Sequence, residues 1–381
     1  MSQTFDVVQA WIDNVAYSHS ESKSTGQKYR LSINEFCQFA RACPSDIMAE
    51  YEKSEERVFK RKYGLLVKAW ISHMSKGTQA PKTLAAKVAS VKSFFKYNDL
   101  PLGFVPTGNA EITFHNKDIS KEEILAVIGI SRIREQAFFS FMVQSGLRPD
   151  TIVSLQLKDL ESLDKVPCKI NVPKDKTKGN YGSYFSFLGE DALHYLKRYL
   201  SERKDVGPDS LLFTGVSGKI PYDRSIPSRI FQEKARKLKA SGKINYETKT
   251  QGKPSELRLY TLRKYFRRMA SQAGPDFVNF WMGHSLGKVE SAYFPGKGEK
   301  EPSAEVIEKH RKLYGDVALP NLRLETATPS ETEKTIETQA KQIEELRNEN
   351  AELKNRITQT EDRFLNIERM IRELKKQIPE N

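Results

Sequence analysis

The stretch YTLRKYFRRMASQAGPDFVNFWMGHSLGKVESAYF, running from Tyr260 to Phe294, sets an arginine, a histidine and a tyrosine in order: Arg263, then His284, then Tyr293 nine residues further on. Each has an ordinary explanation by itself. Arg263 lies among Lys264, Arg267 and Arg268, as on a solvated basic face, and a histidine after a glycine is usually packed or at the surface. Tyr293 is one of fifteen tyrosines and would by default belong to the core. Their joint order and spacing suit three groups converging on one phosphodiester, which packing does not require.

Working outward, the 381 residues are enough for two or three domains. The formal net charge is +13. From Glu331 onward ten Lys or Arg stand against twelve Asp or Glu, so the first 330 residues carry +15. A basic field of that kind attracts polyanions. No apolar run long enough to span a bilayer occurs, and the start MSQTFDVVQAWIDNV lacks the order of a signal peptide, so a cytoplasmic protein without membrane contact is expected. Cys37, Cys43 and Cys168 are too few and too irregular for a disulfide frame or a zinc site and read as reduced, mostly buried thiols. The histidines, at 19, 73, 115, 194, 284 and 310, have no HExxH or CxxC companion, so neither a metal nor another cofactor is expected.

The first hundred residues read as helices. Ile33, Phe36, Cys37 and Ala40 share one face of a helix that Ser24 or Thr25 is placed to cap. Phe59, Tyr63, Leu66 and Trp70 mark a second helix over residues 54–74, and Leu84, Val88, Val91 and Phe95 a third. Around the third stand Lys82, Lys87, Lys92 and Lys96, either a solvated face or phosphate contacts. The Pro- and Gly-rich LPLGFVPTGNA, followed by a capping box at Ser120 and Glu123, places a linker over 106–119. Lys121 to Gly146 is helical in pattern, and KINV and YFSFL then form a hairpin across the basic span PKDKTKGNYGS. Helical segments follow through residue 292. The fold class is α+β, mainly helical, with a small β-sheet.

The tail has its own pattern. Positions 336, 343, 350, 357, 364, 371 and 378 hold Ile, Ile, Asn, Ile, Phe, Ile and Ile, and 346, 353, 367 and 374 hold Leu, Leu, Ile and Leu. This heptad seam predicts a coiled coil over 331–378, broken at Gln339 and Thr360. Asn350 in the seam, and the attractive pairings Glu349–Lys354, Arg356–Glu361 and Arg363–Glu368 across it, favour a parallel homodimer.

Phosphodiester cleavage by a phenol needs help in removing its proton, cations on the nonbridging oxygens and an acid for the departing 5′ oxygen. A tyrosine ionises with a pKa of about 10, so cations and a base must assist it. Arginine donates two hydrogen bonds to paired oxygens, lysine serves as the acid, and side chains then supply the charge.

SGLRPDTIVSLQLKDL, the PKDKTKG hairpin, YTLRKYF, MGHS and AYF occur in the order of the catalytic domain of tyrosine recombinases, the phage and archaeal integrase family, which the chain resembles over residues 120–315. The resemblance implies that Arg148 and Arg263 hold the phosphate, that His284 assists, and that Tyr293 attacks to give a 3′-phosphotyrosyl link. It implies a helical core-binding domain over 1–105, a catalytic domain over 120–325, double-stranded DNA as partner and a tetramer in synapsis. Among Lys174, Lys176 and Lys178, the small-Lys-small setting of TKG favours Lys178 as the acid. Tyr260 stands where the family has the histidine of H-x-x-R, and Thr151 where an acidic residue is expected. Tyr314, in RKLYGD, is the rival nucleophile, although packing explains it better. Rival functions are a type IB topoisomerase or telomere resolvase using the same attack, and a DNA-binding organiser with weakened catalysis.

Overall fold

The structure is a computed structural model that describes residues 6–18, 23–77, 79–108, 114–177, 182–204, 206–215, 222–223, 225–248, 255–284, 302–324, 349–351, 353–354 and 357. The chain divides after Leu324 into two units. In the second, Leu353 and Ile357 are exposed, and most of the heptad seam lies outside the described residues.

Five helices open the first unit: α1 (Val7–Ser18), α2 (Lys23–Ala40), α3 (Pro44–Lys53), α4 (Glu56–Ser75) and α5 (Pro81–Tyr97). They enclose an aromatic core in which Trp11 meets Phe94 edge-on at 5.3 Å and Phe36 meets Trp70 at 5.6 Å. The apolar periodicities locate these helices, since Ile33, Phe36, Phe59, Tyr63, Trp70, Val88, Val91 and Phe95 are all buried. The cap of α2 differs from expectation. The helix begins at Lys23, so Ser24 and Thr25 lie inside its first turn. Among the lysines of α5, Lys87 pairs with Glu35 at 2.6 Å, and Lys92 donates to the Val105 carbonyl at 3.2 Å. Cys37 and Cys168 are buried, whereas Cys43 is exposed.

A second cluster of buried side chains runs from Ile119 to Leu324. It starts with α6 (Lys121–Gly129), capped as expected by Ser120, whose Oγ accepts from the Glu123 amide at 3.2 Å while the Glu123 carboxylate accepts from the Ser120 amide at 3.0 Å. One continuous helical pattern proves to be two helices. The Ser131 hydroxyl donates to the Val127 carbonyl at 2.6 Å, which closes the chain locally before α7 (Ile133–Ser145) starts. Every residue of α7 from Ala137 to Ser145 is buried, as befits a helix apolar on all faces. Its buried Gln144 is satisfied by Asp191 and by the amides of Gly189 and Ala192.

Next come the short α8 (Pro149–Ser154) and the antiparallel pair β1 (Cys168–Val172) and β2 (Tyr184–Leu188), in which Val172 faces Tyr184. All five residues of β2 are buried, so it is covered on both faces. The helices α9 (Glu190–Ser201), α10 (Ser225–Ala240), α11 (Tyr260–Met269), α12 (Pro275–Trp281), α13 (Ala304–Leu313) and the short α14 (Leu319–Leu322) complete the unit, with a π turn over Tyr314–Ala318. Among the described residues no helix is long and apolar enough to cross a membrane.

Candidate active site

Two glycine turns build the site. The first ends α7: Gly146 takes φ +64°, and its amide bonds to the Met142 carbonyl at 3.1 Å. Pro149 starts α8 two residues after Leu147, which is fully buried, so Arg148 is fixed between a glycine stop and a proline start. The second ends α12. There the His284 amide reaches the Asn279 carbonyl at 2.9 Å and the Gly283 amide the Phe280 carbonyl at 2.8 Å, with Gly283 at φ +63°. This paired capping pattern needs a left-handed residue at its first position. The G-H pair is therefore a helix stop that presents a histidine.

Both glycines also give up their side-chain space. A Cβ at Gly146 would lie 2.3 Å from the ring of Phe266 on α11, and one at Gly283 would lie 2.4 Å from Cζ of Tyr184 on β2.

Arg263, one turn into α11, joins the two turns. Its side chain is 0 % exposed. Nη1 donates to the Gly146 carbonyl, Nη2 donates to the Met282 carbonyl at 2.6 Å, and Nη2 lies 2.8 Å from Nε2 of His284. Arg148, half-buried, donates from Nη1 to the Gly283 carbonyl at 3.2 Å. Burial, then the neighbouring Arg148, weakens the hold of Arg263 on its proton, while Tyr260 and Tyr184 favour the cation. A guanidinium stays charged regardless.

His284 is correspondingly neutral. Burial, then Arg263, Arg148 and Arg267, lower its pKa from 6.5 to about 4. Because a guanidinium only donates, Nε2 is the acceptor and the ring proton sits on Nδ1, 3.3 Å from Oδ1 of Asn279. Asn279 thus contacts His284 through both its carbonyl and its side chain, a contact the sequence reading missed. Its signal was its place five residues before His284, at the carbonyl that the helix stop requires.

Residues 117–294 match the model described as the phage integrase family. Those residues form a phage integrase domain. Solved integrases share the fold. The Tn1549 transposon integrase in complex with circular intermediate DNA is 16% identical, with a TM-score of 0.53 over 80% of this chain and 98% of that chain. In complex with transposon right end DNA, the same integrase is 15% identical with a TM-score of 0.53 over 80% and 98%. A lambda integrase dimer bound to a COC' core site is 14% identical, with a TM-score of 0.49 over 75% and 94%. No curated protein matches the sequence.

Within the integrase domain the structure brings Arg148, Arg263 and His284 together, and Tyr260 stands on the same helix as Arg263, 45 % exposed. Lys178 and Tyr293 lie outside the described residues. Lys174 is exposed, whereas Lys176 is engaged, its Nζ bonding to Asp159 at 2.6 Å and to Gln156 at 3.3 Å. Thr151, in the place of the expected acid, is buried and donates to the Lys176 carbonyl at 3.4 Å. It ties α8 to the base of the basic hairpin. Tyr314 is fully buried and donates to the Gln144 carbonyl at 2.7 Å, with burial pushing its pKa well above 10. A phenol so enclosed and so reluctant to ionise is a core residue. Among the described residues no group of His, Cys, Asp and Glu could hold a metal ion.

Proposed function

We propose that this chain is a tyrosine-type site-specific recombinase that cleaves and rejoins double-stranded DNA with Tyr293 as nucleophile. The observation that carries the reading is the position of Arg263, tied to both glycine turns and to His284, which gathers two cations and a neutral histidine just before the segment bearing Tyr293. The Tyr293 oxygen attacks the scissile phosphorus, the bond to the 5′ oxygen breaks, and a 3′-phosphotyrosyl link forms. Lys178 gives a proton to the departing 5′ oxygen. His284 takes the phenolic proton once the phosphate has offset Arg263, Arg148 and Arg267, which after burial hold its pKa down. Arg148 and Arg263 carry the charge of the pentacovalent state through preorganised donors. Since the link conserves the energy of the phosphodiester, a 5′ hydroxyl from a second strand reverses the step and completes exchange.

In this reading residues 1–105 and 120–325 close around DNA, and the tail pairs two protomers in parallel, two pairs forming the synapse. Tyr260 donates a hydrogen bond where the family has a histidine, but it is neither cation nor base near neutral pH. The test is a nicked suicide duplex, from which the leaving strand diffuses away. The full-length chain should accumulate a covalent protein–DNA adduct, and its absence on duplexes selected from a randomised pool would refute the reading. Relaxation of supercoiled DNA lacking any recombination site would favour a topoisomerase instead.

A further inference from the structure

Tyr184 is a second phenol in the arginine cluster, and no role follows for it from the motifs. It opens β2 opposite Val172, beside the hairpin loop that carries the lysines. Its side chain is 8 % exposed, and its hydroxyl makes no hydrogen bond of ordinary geometry among the described residues. Burial opposes its ionisation and raises its pKa, against the cations of Arg263 and Arg148 and the hydroxyl of Thr151, which favour the ionised form. The phenol oxygen would stand 2.6 Å from a Cβ at Gly283, so the hydroxyl lies against the backbone turn that holds Arg148 through its carbonyl.

Nε of Arg263, in the same cluster, is also buried without a partner. A buried donor with no acceptor is costly, and native proteins keep few of them. Two such groups flanked by cations select one kind of missing partner, an anionic oxygen that arrives with the substrate. We propose that Tyr184 is a further residue of the phosphodiester site, donating its O–H to a nonbridging oxygen of the scissile phosphate beside Arg148 and Arg263. The proposal rests on the recombinase reading. The hydroxyl is buried in the DNA-free chain, so the bond forms only once the phosphate has entered beside Arg148 and Arg263. With Tyr260 standing where a histidine was expected, Tyr184 adds a neutral donor on the buried side of the same arginine.

The test uses full-length Tyr184→Phe, which removes the oxygen and keeps the ring against Gly283. Suicide duplexes recovered by the wild-type chain from a randomised pool are prepared with the scissile phosphate intact and as each of its two methylphosphonate diastereomers, which lack one nonbridging oxygen apiece. On the intact phosphate the variant should form adduct roughly 100- to 1000-fold more slowly, as expected for one lost donor to a developing oxyanion. Its DNA affinity should be unchanged, and its melting temperature equal or higher, because an unpartnered buried hydroxyl has been removed. On one diastereomer the difference between wild type and variant should vanish. Equal rates on the intact phosphate, equal slowing on all three duplexes, or a lowered melting temperature would overturn the proposal. Absence of adduct from the wild-type chain would instead overturn the recombinase reading beneath it, and this proposal with it.

Discussion

Nζ of Lys176 stands 2.6 Å from Oδ2 of Asp159, with side chains 12% and 6% exposed, and this ion pair separates two lysines that look alike in sequence. Lys176 is committed to the fold. Removing one partner of a buried pair leaves an uncompensated charge, so Lys176→Met should destabilise the chain by about 3 kcal/mol in denaturant titration. Lys178→Ala should fold normally and cleave slowly, and a duplex with sulfur in place of the 5′ bridging oxygen should restore its rate, because a thiolate leaves without an acid. Failure of that duplex to rescue Lys178→Ala, or its rescue of Lys176→Met instead, would move the acid role elsewhere.

The neutral state of His284 has a pH signature. Its pKa is 6.5 ordinarily and about 4 in the folded chain. Between these values the unfolded chain holds a proton that the folded chain excludes, so stability rises with pH through the window and is lost as pH falls from 6.5 to 4. The DNA-free melting temperature should drop over that range, and His284→Gln should flatten the drop. A parallel fall in both proteins would mean that other groups control it.

Gly283 is held to glycine twice, by its φ of +63° and by the Tyr184 ring in its side-chain space. Gly283→Ala should cost about 1–3 kcal/mol of stability and displace His284, lowering adduct formation as well. Gly129→Ala is the control, since a methyl there meets nothing within 4 Å and the site ends a helix. Its stability should be unchanged or slightly raised. Equal effects at the two positions would show that neither contact nor turn matters at Gly283.

The tail predicts an oligomer. Sedimentation of a chain ending at Leu324, where the first unit closes, should show a smaller species than the full-length protein. The same state for both would remove the coiled coil as the dimer contact.

Much of this was legible in the residues, for definable reasons. Trp70 and Phe95 recur at helical spacing and are buried, and Ser120 with Glu123 caps α6 as their spacing requires. Arg148 and His284 could be read because each sits at a turn glycine that leaves a fixed mark in sequence, and Arg263 because it closes the position of the family's H-x-x-R motif. The break at Ser131 could not, because a hydroxyl bonding one turn back carries no periodic signal. Tyr184 was hidden in YFSFL, where a tyrosine in a strand reads as core. Only its contact with Gly283, more than ninety residues away in sequence, reveals its place. Thr151 stood out in sequence only as a departure from an expected acid, since its bond to the Lys176 carbonyl depends on a partner that folding brings near.

The most direct measurement is to digest the trapped protein–DNA adduct and locate the modified residue by mass spectrometry. The account predicts that the nucleotide is carried on the peptide containing Tyr293, and that Tyr293→Phe forms no adduct. Attachment at Tyr260, Tyr184 or Tyr314, or an adduct that survives Tyr293→Phe, would contradict it.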